Sequence, residues 1–120
     1  CTEKLVEQAA KAPTLSNVYC GVGGAAVANM PGGKAWKARY DAQYPGQFQI
    51  YSPYVYDATM VLADAMQRAG SADPKVYLPF VRKTDYQGIS AHIQFDPQGE
   101  LIKPAISIST YQNNKKTPIN

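Results

Sequence analysis

SPYVYDATMVLADAMQRAG, residues Ser52 to Gly70, is the stretch that decides the fold. Ser52 suits a helix N-cap, and Pro53 suits the first helical position, where a missing N–H costs nothing. Val55, Ala58, Leu62, Ala65, Met66 and Ala69 recur at spacings of three and four, the period of an amphipathic helix. Asp57, Asp64 and Arg68 mark the expected solvent face. Met60 and Val61 widen the apolar arc, and Gly70 supplies the stop. The reading is a well-buried helix from Pro53 to Ala69.

Downstream, Asp73-Pro74 repeats the cap-and-proline start. It predicts a shorter helix ending near Arg82, with Pro79 kinking it or ending it early. Ile89, Ala91, Ile93 and Phe95 alternate with polar residues, which is a strand pattern. Asp96-Pro97-Gln98-Gly99 fits a type I turn. Leu101 and Ile102 are expected to return as a partner strand, and Ile106 to Tyr111 as another. The polar tail Gln112 to Asn120 is expected to be loose.

Upstream, Thr2 can cap a helix from Glu3 to Ala12, which Pro13 stops. Val18-Tyr19-Cys20 reads as a short buried strand, and Gly21-Val22-Gly23-Gly24 as a loop or crossing point. Pro31-Gly32-Gly33 introduces a helix that runs to Tyr44, with Ala35, Trp36 and Tyr40 inward. Gln47 to Tyr51 reads as extended. The order is helix, strand, three helices, then strands, an α/β mixture. The strands are too few and too dispersed to cover the helices. A complete doubly wound domain would alternate strand and helix throughout, so the chain reads as part of a larger α/β protein.

Composition excludes several functions. The chain has 120 residues, 45% apolar and 18% charged, with a net charge of +3. Its basic residues are scattered, whereas a nucleic-acid surface needs a concentrated patch. No apolar run approaches the length of a membrane-spanning helix. With one histidine, His92, and no Cys-x-x-Cys, a zinc site lacks ligands. His92 has no nucleophile partner of recognisable motif. Asp57 and Asp64 lie two helical turns apart on the expected solvent face, which is solvation and not acid–base catalysis. No catalytic residue, metal or cofactor is expected.

Gly21 to Gly24, followed by Ala25-Ala26, matches Gly-x-Gly-x-x-Ala. A dinucleotide site needs these glycines to open a helix, and Pro31 follows too soon for a full one. Cys1 and Cys20 admit three states: a disulfide, two free thiols, or a lipid-bearing Cys1. The even count and short spacing favour the disulfide. It would stabilise the fold by roughly 3 kcal/mol and belongs to an oxidising compartment.

There are nine tyrosines. Tyr51, Tyr54 and Tyr56 cluster at the start of the long helix. Core packing accounts for Tyr56. Tyr51 precedes the cap, and helix starts often border ligand clefts in α/β folds.

Three stretches carry a family resemblance. They are Met30-Pro31-Gly32-Gly33-Lys34-Ala35-Trp36, then Ile50 to Ala58 running on through Ala69-Gly70-Ser71-Ala72-Asp73-Pro74, and Tyr86-Gln87-Gly88-Ile89 continuing to Ile93 through Glu100. Together they resemble the C-terminal part of periplasmic leucine/isoleucine/valine-binding proteins, the two-lobed type I receptors of branched-chain amino-acid ABC transporters. Ala91 stands where such proteins often carry glycine.

The resemblance implies a partial type I fold: helices with a few strands, a C-terminal hairpin and a crossover strand. It assigns residues 1–23 to the end of the second lobe, 24–104 to the closing part of the first, and 105–120 to a return to the second. Tyr51 matches a ligand-lining position, with Tyr54 a weaker candidate. Most other ligand groups would lie upstream of Cys1. The implied function is non-enzymatic: delivery of an amino acid, in the full-length protein, to an ABC permease from the periplasm. The rival readings are a small nucleotide-binding domain using Gly21 to Gly24, and an assembly module. An unfinished lobe leaves apolar surface exposed, so the isolated chain is expected to associate as a homodimer, which light scattering would detect.

Overall fold

The computed structural model describes residues 7, 8, 11, 17–112 and 115–119. The helix expected from Glu3 to Ala12 lies, apart from residues 7, 8 and 11, outside them. The chain divides into two compact units, one of Cys1–Ala25 with Pro104–Asn120, the other of Ala26–Lys103.

In the first unit, β1 (Tyr19–Gly23), β4 (Ile106–Gln112) and β5 (Lys115–Pro118) form a three-stranded antiparallel sheet in the order β1-β4-β5. Tyr19 lies opposite Thr110, and Gly23 opposite Ile106. Cys20 and Tyr111 are buried together, with Val18 packed against them. Two expectations fail here. Gly21 to Gly23 is strand and not loop, because its backbone pairs with β4. The tail is not loose between Lys115 and Pro118, because Ser109 to Gln112 pair with it.

The second unit holds the helices. A 3-10 turn (Val27–Asn29) precedes α1 (Gly33–Gln43), α2 (Ser52–Ala69) and α3 (Pro74–Val81). β2 (Asp85–Gln87) and β3 (His92–Gln94) pair antiparallel, with Gln87 opposite His92. The stop of α2 is as expected. Gly70 adopts the left-handed conformation at φ 63°. The Ser71 N–H reaches back to the Met66 carbonyl at 3.2 Å, a glycine cap that spares a side chain the strain. At the start of α3 the Asp73 carboxylate accepts from the Lys75 N–H at 2.9 Å. Pro79 leaves no interior N–H for the ladder, and the helix ends at Val81.

The inward face of α2 differs from the apolar stripe read from the sequence. Its buried residues are Pro53, Asp57, Val61 and Ala65. Val55 is 62% exposed and Leu62 39%, whereas Asp57 is 2% exposed. The turn after β2 meets α2 at Asp57, α3 meets it at Arg68, three turns on along the same side, and α1 meets it at Tyr56. Apolar period alone could not choose that side. The cap also moves by one residue: Tyr51 is the N-cap. Ser52 instead accepts from the Gln49 N–H at 3.1 Å, so the segment expected to be extended from Gln47 to Tyr51 ends in a turn at Ile50 and Tyr51, and none of it is strand.

The strand expected across Ile89 to Phe95 shrinks to β3, because the Ile89 and Ser90 amides are bound to Asp57 instead of a neighbouring strand. Its expected partner at Leu101 is a single bridge to Phe95. The turn at Asp96 forms as read, with the Gly99 N–H donating to the Asp96 carbonyl at 3.0 Å.

Candidate functional site

The start of α2 places the two tyrosines named as ligand-lining. Tyr51 is 60% exposed, and its carbonyl accepts from the Tyr54 and Val55 N–H groups, each at 3.0 Å. Tyr54 is half-buried. Tyr51 is the N-cap of α2 and Tyr54 lies in its first turn. Cys20 lies in the other compact unit, is 3% exposed and is not a free thiol. Cys1 lies outside the described residues.

Beside this helix start is a group of rings. Trp36, buried on α1, lies 5.7 Å from Tyr56, 4.9 Å from Tyr40 and 6.5 Å from Phe48 between centroids. Lys37 stands 4.6 Å above the Phe48 ring and pairs with Asp41 one turn on. Tyr56 is not the core residue its position suggested, being 40% exposed, but its ring rests on Trp36 and so holds α1 against the first turns of α2.

Asp57 is the residue the sequence reading missed. Its carboxylate accepts from the Ile89 N–H at 2.9 Å and the Ser90 N–H at 2.8 Å, and from the Ser90 hydroxyl. Gly88 is packed so tightly on it that an added Cβ would stand 2.4 Å from Oδ2. The Ile89 carbonyl in turn accepts from the Gly32 N–H at 2.9 Å. Half-buried Tyr86 has its phenol pushed above the ordinary value, first by desolvation and then by the negative charge of Asp57. The missed signal was the spacing: Asp57 stands four residues from both Pro53 and Val61, inside the buried row.

The remaining candidates are decoys. His92 is exposed, with Nε2 2.5 Å from Asp85, which also accepts from Gln94 at 2.9 Å. The hydrogen bond from His92, and after it that from Gln94, holds the Asp85 carboxyl below the usual carboxylate range. Gly21 to Gly24 opens no helix: only the three-residue 3-10 turn follows before Pro31, and the Gly24 N–H donates to the Ala105 carbonyl at 2.7 Å. Among the described residues no group of three or more His, Cys, Asp or Glu could hold a metal ion. None of the described helices is long and apolar enough to cross a membrane.

Comparison with known proteins agrees with this architecture. No curated protein matches the chain. Among solved structures, the leucine-binding protein LivK of Thermotoga maritima superposes with a TM-score of 0.71 at 26% identity. The match covers 88% of this chain and 31% of that one. The chain thus spans about a third of the length of that relative and has a partial type I binding-protein fold. The family model for periplasmic binding proteins matches residues 2–115. The resemblance read from the three sequence stretches is upheld: the chain belongs to the periplasmic binding protein family.

Proposed function

We propose that the chain is the C-terminal portion of a receptor that binds an amino acid, of the branched-chain class, and hands it to an ABC permease outside the cytoplasmic membrane. The observation that carries this reading is the superposition on a leucine-binding protein across most of the chain. In this role binding favours a closed form through contacts made only there, and no bond is made or broken. Tyr51 and Tyr54, at the exposed start of α2, supply part of the wall against the ligand side chain. Groups for its carboxylate and ammonium come from the rest of the receptor.

The test is calorimetric. L-Leucine titrated into the 120-residue chain is expected to give no binding heat. Titrated into the full-length receptor, it is expected to bind, with Tyr51→Ala weakening it about tenfold. Absence of binding to leucine, isoleucine and valine by the full-length receptor would overturn the ligand class. Micromolar binding by the chain alone would overturn the division of labour.

We also propose that Cys1 pairs with Cys20, consistent with a buried Cys20 that is not a free thiol. Intact mass under non-reducing conditions is expected to lie two hydrogens below the reduced chain. A free thiol on Cys1 in the oxidised protein would refute it.

A further inference from the structure

Asp57 is a buried acid on the face of α2 opposite its exposed apolar residues, and the proposed binding role gives it no task. Its carboxylate joins stretches more than thirty residues apart in sequence. From α2 it binds Ile89 and Ser90. Ile89 in turn holds Gly32 through its carbonyl at 2.9 Å. A Cβ on Gly32 would stand 3.1 Å from the Ile89 Cα, so the two backbones are in close contact. Gly32 is the N-cap of α1, and Tyr51 is the N-cap of α2. The Trp36–Tyr56 contact ties the same two helix starts a turn further on.

We infer that Asp57 is a positioning residue: it clamps the Gly88–Ala91 turn to α2, and through Ile89 it fixes the starts of α1 and α2 together, so that it sets the place of Tyr51. Tyr51 moves with α2 because its carbonyl accepts from the Tyr54 and Val55 amides in the first turn of the helix. Replacing one carboxylate oxygen by an NH2, as Asp57→Asn does, leaves either the Ile89 amide or the buried Ser90 amide and hydroxyl without an acceptor. The turn must then open, and the Gly32 N–H loses a fixed partner with it. The part concerning Tyr51 rests on the proposed ligand role of that residue. The clamp itself does not.

The experiment separates the two. Amide spectra and hydrogen exchange are recorded on the 120-residue chain, wild type and Asp57→Asn. Faster exchange is expected at Ile89, Ser90 and Gly32, with displaced amide resonances at Tyr54 and Val55, while the capping amide of Lys75 stays put. Loss of protection at Ile89 and Ser90 alone, with Gly32, Tyr54 and Val55 unmoved, would overturn the inference. Ser90→Ala, which keeps both amide donors, is the fallback if Asp57→Asn does not fold. It is expected to move the same resonances less.

In the full-length receptor, Asp57→Asn is expected to weaken leucine binding about tenfold, about 1.4 kcal/mol. A cycle with Tyr51→Ala is expected to be non-additive, which general loss of stability would not produce. Leucine bound equally by wild type and Asp57→Asn would overturn the positioning role while leaving the receptor reading intact. Failure of the wild type to bind leucine would sink the receptor reading, and the amide pattern would still decide the clamp.

Discussion

Two carboxylates in the Ala26–Lys103 unit do similar things in different surroundings. Asp57 reaches across from α2 to the turn that follows β2, and accepts from two amides and a hydroxyl at 2% exposure. Asp85, on β2, accepts from His92 and Gln94 across the two-stranded ribbon, with its side chain 68% exposed. Each has its partners. The difference is what replaces them when they are lost. Water takes over at Asp85. At Asp57 nothing can, so the penalty there is the full desolvation of stranded donors. Burial, more than the number of partners, decides which acid the fold depends on.

The harshest way to break the comparison is Gly88→Ala. The added methyl would sit 2.4 Å from Oδ2 of Asp57 and 3.0 Å from the Ala91 carbonyl. Neither can yield without giving up the clamp. A loss of about 3 kcal/mol is expected in urea unfolding, the range of mutations that overpack a core and break a buried network. A change within about 0.5 kcal/mol of wild type would mean that the turn has room the packing denies it.

Much of this unit could be read from the residues. Pro53, Gly70, Asp73-Pro74 and Asp96-Pro97-Gln98-Gly99 act through their own backbone preferences, and the structure places a helix start, a stop, a start and a turn there. What stayed hidden depends on partners distant in sequence. Asp57 reads as a solvent-facing acid because its acceptor role requires Ile89 and Ser90, more than thirty residues away. Val55 and Leu62 read as core because their period is correct, yet within this unit the buried row of α2 runs through Pro53, Asp57, Val61 and Ala65. Gly21 to Gly23 reads as a loop because glycine propensity is local, whereas pairing with Ile106 to Ile108 is not. Of the ligand-lining candidates, Tyr51 came from family resemblance and the helix start together, and Tyr54 from the resemblance as the weaker of the two. The Asp57 contacts with Ile89 and Ser90 had no local signature except the four-residue spacing of Asp57 from Pro53 and Val61.

Thr84 sharpens the contrast from the other direction. It is 4% exposed, and its hydroxyl has no hydrogen-bond partner among the described residues. It is buried like Asp57 but unsatisfied. Thr84→Val keeps the shape and removes the unpaired group, so stability is expected to rise by up to about 1 kcal/mol. A clear loss of stability would show that the hydroxyl is satisfied after all, and would weaken the claim that partner bookkeeping ranks these sites.

Asp85→Asn should do least. The hydrogen bond from His92 lowers the carboxyl's folded pKa below its free value. A lowered acid favours the folded state while ionised, so its contribution is full above about pH 4 and fades as pH falls through the folded value. Exposure and solvent screening keep that contribution small. At pH 7 the variant's urea midpoint is expected to coincide with that of wild type within scatter. Below about pH 4 the wild type should lose slightly more stability than the variant, because only it has that carboxylate to protonate. A large destabilisation of Asp85→Asn at neutral pH would place the ribbon on the same footing as the clamp, and burial would no longer explain why one acid matters and the other does not.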